Sequence, residues 1–223
     1  MSVPPKDLEH LKQRMLAMAG AVEEQVRTAV EALVERNHDM AQAVLTGDKP
    51  IDQLHLEIDE RCFQLLEAQQ LPSTELRVVV TGVKINSDLE RIGDLAINIG
   101  ETTLRYLEHP SVKPLIDIPR MGSIAQGMLR DSLDSYVKQD MTLAQQVLNR
   151  DDQLDELKEQ VFHELVGVMC SDTTITEQAL DLILISRHLE RVGDHATNIA
   201  EEAIFMVSGL DVRHQGQEGQ ANR

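Results

Sequence analysis

Aromatic side chains are nearly absent: two Tyr, three Phe and no Trp among 223 residues. That disfavours a β-sandwich, whose strands prefer aromatic and β-branched residues, and leaves little to stack on nucleobases. Basic residues are scarce as well, 21 Lys and Arg against 38 Asp and Glu, for a net charge of -17. So acidic a surface repels phosphate backbones and anionic lipids, which argues against nucleic acid as a direct partner. It attracts divalent cations and basic protein surfaces. Cysteine occurs only at Cys62 and Cys170, with no CxxC, and both positions read as buried, reduced thiols inside helical patterns. Long apolar runs are missing too. The longest are LILI at 182–185 and AIFMV at 203–207, whereas a membrane span needs about 20 apolar residues. The first residues carry no apolar signal region, so the expected location is the cytoplasm. The length allows one large domain or two small ones, and the 42% hydrophobic and 26% charged content is ordinary for a globular chain.

Apolar residues recur at steps of three and four, the helical period. Leu8, Leu11, Met15, Met18, Val22, Val26, Val30 and Leu33 mark a first helix over 7–36. A second follows over 40–68, with a potential interruption at 47–50, and a third over 73–108. Pro110, Pro114 and Pro119 crowd one short stretch. Proline removes backbone donors and stops helices, so this is the linker. Three more helices follow over 120–138, 143–169 and 175–207, the last with a capping box, Thr174-x-x-Glu177, at its start. The expected organisation is all-α: one three-helix bundle in residues 1–109, a second in 120–208, and a polar, disordered tail in 209–223.

The two halves repeat each other. Residues 88–101 read DLERIGDLAINIGE and residues 188–201 read HLERVGDHATNIAE, nine identities in fourteen at an offset of 100. AQAVLTGD at 41–48 resembles AQQVLNRD at 144–151, at an offset of 103. Shared periodicity alone would not reproduce the same polar residues, so the pattern is a tandem duplication.

The repeated polar residues are carboxylates. On a helical wheel Ile85, Leu89, Ile92, Ala96 and Ile99 form one apolar arc, while Glu90, Asp94 and Glu101 fall on a separate stripe. Leu189, Val192, Ala196 and Ile199 with Glu190, Asp194 and Glu201 repeat the arrangement. Like charges at i and i+4 repel by a few tenths of a kcal/mol. No basic residue shares the stripe, because Arg91 and Arg191 project about 100° away. The second and fifth helices carry matching pairs, Asp48 with Asp52 and Asp151 with Asp155. Packed beside the third and sixth helices, each bundle would gather four or five carboxylates, hard oxygen donors suited to Mg²⁺, Mn²⁺, Ca²⁺ or iron. One acidic pair on an acidic protein is usually a solvated face; an identical triple in both halves is less easily dismissed. The helix-two Asp pairs are weaker, since Asp also caps helices. Gly93 and Gly193, each costing about 1 kcal/mol against alanine in mid-helix, would leave room for a close neighbour or an ion. Asn98 and Asn198 are candidates to orient ligands. His188 and His195, with Asp88 and Leu95 at the matching first-half positions, read as interface or partly buried histidines.

No phosphate-binding loop, dinucleotide glycine cluster or Gly-x-Ser-x-Gly occurs. Glu35-x-x-His38 occurs once and does not recur, unlike the paired Glu-x-x-His of ferritin-type di-iron oxidases. Three functions remain: a non-enzymatic adaptor with cation sites, a metal-dependent carboxylate-bridged oxidase or hydrolase, and a helical scaffold without ions.

Leu89-Glu90-Arg91-Ile92-Gly93-Asp94 with Asn98, its copy Leu189-Glu190-Arg191-Val192-Gly193-Asp194 with Asn198, and residues 209–214 (GLDVRH) resemble the PhoU family, bacterial regulators of phosphate uptake and phosphate-starvation signalling. The resemblance covers nearly the whole chain. It implies two tandem three-helix bundles, often a homodimer, and one acidic metal site per bundle. By position these sites would use Asp48, Asp52, Glu90, Asp94 and Glu101 in the first bundle, and Asp151, Asp155, Glu190, Asp194 and Glu201 in the second. The ion is left open among Mg, Mn, Fe, Zn and Ca. No His stands in the repeated stripes and no nucleophile stands out beside them, so the expected protein is not an enzyme. The resemblance further implies a negative regulator linking the ATPase subunit of the phosphate ABC transporter to a sensor histidine kinase, and reaching the membrane only through those partners.

Overall fold

A computed structural model describes residues 5–67, 71–112, 115 and 117–212. Among these the chain is helical without strands. The helices are α1 (Pro5–Val34), α2 (His38–Thr46), α3 (Asp48–Glu67) and α4 (Ser73–Leu107), then α5 (Asp117–Lys138), α6 (Met141–Leu148), α7 (Asp151–Ser171) and α8 (Thr176–Ser208). Each half is a bundle of three long helices, as expected, with one short helix added. The expected second and fifth helices each divide in two. Their local chemistry is the same in both halves and also repeats at an offset of 103. Arg36 and Gln139 take positive φ, 51° and 56°, and reverse the chain. Asn37 and Asp140 then cap the short helices, Asn37 accepting from the Met40 N–H and Asp140 from the Thr142 and Leu143 N–H groups. These side chains satisfy donors that a helix start leaves orphaned. Gly47 and Asn149 end the short helices, and α3 and α7 begin on Asp48 and Asp151. Pro50 and Pro119 fall in the first turns of α3 and α5, where a missing N–H costs nothing.

Two local expectations are corrected. The capping box at Thr174 does not form. Asp172 accepts from the Thr174 backbone N–H and hydroxyl and caps a single 3₁₀ turn, Thr173–Ile175, that leads into α8. Of the two thiols Cys62 is buried, but Cys170 is exposed near the end of α7. Of the expected polar tail, residues 213–223 lie outside the described residues, as do Arg213 and His214 of the terminal motif. Gly209 ends α8 in the left-handed conformation, φ 74°.

Leu11, Met15, Met18, Val22, Val26 and Leu33 of α1 are all buried, which is the stripe that their spacing describes. Fully burying each such side chain stabilises by about 1.5–3 kcal/mol. The apolar arcs of α4 and α8 are buried, and the buried residues of the two halves form one continuous core. The halves meet chiefly along α4 and α8. These run antiparallel, because Lys84 pairs with Glu202 at 2.8 Å and Arg105 with Asp181 at 3.0 Å. Between those pairs Asp88 Oδ1 lies 2.8 Å from His195 Nδ1 and accepts from Asn198 Nδ2 at 3.2 Å. His195 is thus an interface histidine. Asn198 serves the same interface rather than the acidic stripe.

Candidate functional site

α3 packs on α4 and α7 on α8, so the Asp pairs at the starts of α3 and α7 do come beside the acidic stripes. Gly93 and Gly193 make room for a neighbouring side chain in each case. A methyl group at Gly93 would lie 3.4 Å from Ile51 Cγ2, and one at Gly193 only 2.5 Å from Leu154 Cδ2 and 3.7 Å from Asp151 Oδ1. Ile51 and Leu154 are equivalent positions of the repeat.

In the N-terminal bundle partial burial raises the Asp48 carboxyl pKa, and the charges of Asp52 and Asp94 raise it further. No ion pair to Asp48, Asp52 or Asp94 occurs among the described residues. Among the described residues Glu90 has only the adjacent Arg91 as an ion-pair partner, at 3.8 Å. Behind Gly93 sits Gln25, 6% exposed. Its amide nitrogen donates to the Val44 carbonyl at 3.1 Å, while its Oε1 is buried without a partner. His55, one turn beyond Asp52, lies 3.5 Å from Asp59, and its Nδ1 is likewise buried and unpartnered.

The C-terminal bundle repeats the acids but not their surroundings. Burial, then Asp194, Asp155, Asp152 and Glu190, push the Asp151 carboxyl up to about 6. Into this group reaches a residue that the wheel did not reveal, Lys158 on α7. Its ammonium donates to Glu190 Oε1 at 2.7 Å and to Asp155 Oδ1 at 3.1 Å. The bond to Glu190 is the main reason the Lys158 pKa is raised. Lys158, Phe162, Arg187, Glu190, Arg191 and Asp194 line a groove of about 560 Å³ between α7 and α8. Lys158 could have been singled out by carrying the offset of 103 past Asp155, which sets it opposite His55.

Glu101 is exposed, two turns or about 10 Å along α4 from Asp94. Glu201 is half-buried at the equivalent point of α8. Neither is among the charges acting on Asp48 or Asp151. Among the described residues no three of His, Cys, Asp or Glu converge closely enough to hold a metal ion. The N-terminal donor set still suits a hard cation: several carboxylates, no lysine among them, and an orphaned amide oxygen behind. The C-terminal set, with an ammonium already bonded to two of its acids, does not suit one as it stands.

The model of the PhoU domain matches this chain twice, over residues 15–103 and 118–203. The chain belongs to the PhoU family. Each match covers one copy of the duplication. Among PhoU relatives, the phosphate-specific transport system accessory protein PhoU homolog of Aquifex aeolicus is 39% identical over 210 residues, 94% of this chain and 95% of that protein. The protein of the same description from Caulobacter vibrioides is 37% identical over 211 residues, 94% and 92% of the two chains. The crystal structure of PhoU from Pseudomonas aeruginosa superposes with a TM-score of 0.89 at 35% identity, covering 92% of this chain and 99% of that one. The phosphate transport system regulatory protein PhoU from Streptococcus pneumoniae gives 0.84 at 27% identity. No helix among the described residues is long and apolar enough to cross a membrane.

Proposed function

We propose that this protein is a non-enzymatic negative regulator of phosphate uptake and phosphate-starvation signalling. It acts as a cytoplasmic adaptor between the ATPase subunit of a phosphate ABC transporter and a sensor histidine kinase. The observation that carries this reading is the near full-length likeness to proteins described as accessory to the phosphate-specific transport system. The fold suits an adaptor: two rigid helical bundles on a shared core present long, strongly charged faces. The net charge of -17 favours basic protein surfaces and keeps the molecule off nucleic acid and off anionic lipid except through its partners. The molecule works as a homodimer. Exposed apolar residues on α3, Leu56 and Phe63 at 68% and 64%, are the face to test for that contact.

Ion binding is the second part of the proposal. Asp48, Asp52, Glu90 and Asp94 hold a divalent or trivalent cation in the N-terminal bundle. It relieves the repulsion among them and stiffens the α3–α4 contact. Gln25 supports this reading, since a nine-tenths-buried amide oxygen without a partner is costly unless something occupies it. The rival is a metal-dependent carboxylate-bridged enzyme, which needs an open coordination position beside an acid or base. The other alternative is an ion-free scaffold.

Deletion of the gene is expected to switch on a phosphate-starvation reporter in phosphate-replete cells. A tagged copy is expected to capture the transporter ATPase and the kinase from such cells. An unchanged reporter in the deletion strain defeats the regulatory reading. Turnover with iron or manganese would replace the adaptor by the enzyme. Full partner capture in the presence of chelator would favour the ion-free scaffold.

A further inference from the structure

The duplicated acids give no reason to treat the two stripes differently; their neighbours do. Carrying the offset of 103 along the first three helices of each half sets Asp48 on Asp151, Asp52 on Asp155, Gln25 on Met128, His55 on Lys158 and Asp59 on Phe162. The acids of the pairs are kept. Beside the motif glycine the C-terminal copy has Met128 where the N-terminal one has the amide oxygen of Gln25, and its stripe gains an ammonium.

That ammonium is not on a solvated periphery. Lys158 Nζ lies 2.7 Å from Glu190, 3.1 Å from Asp155 and 3.9 Å from Glu159, with side-chain exposure of 26% for Lys158 and 17% for Glu190. Glu190 and Asp155 have therefore each committed an oxygen to a cation that the chain supplies. A divalent ion bound there would have to displace Lys158 from its partly desolvated bond to Glu190 and its exposed bond to Asp155, and would sit beside its charge. In the N-terminal copy the equivalent side chain, His55, is 3.5 Å from Asp59 and, among the described residues, makes no bond to Glu90 or Asp52.

We propose that Lys158 is a built-in cation that takes the place of an external ion in the C-terminal bundle, so that the two stripes are not equivalent and only the N-terminal one takes an ion. The N-terminal half of this statement rests on the reading in the preceding subsection. The Lys158 half stands on the geometry of α7 and α8 alone.

The test is Mn²⁺ binding by the full-length, chelator-stripped protein, followed by electron paramagnetic resonance and elemental analysis, with thermal melting in parallel. Wild type is expected to take one ion per chain, lost in Asp94→Asn and kept in Asp151→Asn. Lys158→Met is expected to melt several degrees lower in chelator, to take a second ion, and to recover its melting temperature on Mn²⁺ addition. Lys158→His, which puts at this position the residue type found at the equivalent position 55, is expected to behave the same way and serves if Lys158→Met does not fold. The reciprocal His55→Lys is expected to remove the wild-type ion. Two ions in wild type, one of them lost in Asp151→Asn, would overturn the proposal while leaving ion binding intact. No ion in wild type but one in Lys158→Met or Lys158→His would uphold the role of Lys158 and defeat the N-terminal ion site. No ion gained by either Lys158 variant would overturn the proposal.

Discussion

Asp151 and the two cysteines carry distinct consequences at the residue scale. The Asp151 carboxyl titrates near 6, against an ordinary 3.8, because burial and four neighbouring acids oppose its charge. An acid whose folded pKa is raised binds its proton more tightly when folded, so stability falls as pH rises from about 4 to about 6, and the full cost persists above that. Asp151→Asn is therefore expected to stabilise the ion-stripped protein by about 1–2 kcal/mol at pH 7, discounted for the group's partial exposure, and by almost nothing at pH 4. Urea unfolding at the two pH values checks this. An equal effect at both would mean that the opposed charge of the carboxylate, by burial and by its acidic neighbours, is not the cause. Cys62 is buried, and burial first and Asp59 second push its thiol up to about 12. Cys170 is exposed. A thiol reagent at pH 8 should label one thiol per folded chain at once and the other only on unfolding, because the thiolate is the reactive form. Cys170→Ser should abolish the fast phase.

At the scale of a helix, the same glycine in the same motif has two environments. Glycine to alanine in mid-helix gains roughly 1 kcal/mol if space allows. At Gly93 the nearest atom to an added methyl is Ile51 Cγ2 at 3.4 Å, an ordinary contact. At Gly193 it is Leu154 Cδ2 at 2.5 Å, and Leu154 is fully buried. Overpacking of that kind costs about 1–3 kcal/mol. Thermal melting should find Gly93→Ala neutral to stabilising and Gly193→Ala destabilising by about 1 kcal/mol or more. The reverse order would mean that α7 yields more easily than α3. The caps also act at this scale: Asn37→Ala and Asp140→Ala should each cost about 1 kcal/mol, because each leaves helix-start N–H groups unsatisfied.

Across the whole molecule, the α4–α8 contact sets the behaviour of the two halves. Their cores are continuous, and Asp181 and Glu202 are largely buried against Arg105 and Lys84 from the other half. Neither half keeps its apolar surface covered without the other. Heating should thus give one cooperative transition, and residues 1–112 expressed alone should expose apolar surface and lack sharp tertiary signals. Two separate transitions, or a well-folded fragment, would make the halves independent domains. Arg105→Met leaves Asp181 without its guanidinium partner and should cost about 2–3 kcal/mol.

The sequence alone determined the all-α class, the duplication, the buried stripe of α1 and the stripes Glu90–Asp94 and Glu190–Asp194. Each is a matter of period or of identity at fixed offset, and both survive whatever the helices pack against. The short helices α2 and α6 were half legible: Asn37 and Asp140 are ordinary capping residues, but the positive φ at Arg36 and Gln139 has no glycine to announce it. Only the tertiary structure decided which polar residues meet. Asp88 and His188, or Leu95 and His195, look like imperfections of the repeat. Folded, Asp88 reaches His195 because α4 and α8 lie antiparallel. In such a contact identical copies would present the same pairs twice, and divergence lets unlike groups face each other. Lys158 shares no helix with Glu190, so no wheel can bring them together; packing of α7 on α8 does. Charge on one helix is a property of sequence, whereas the partner that neutralises it across a helix contact is a property of the fold.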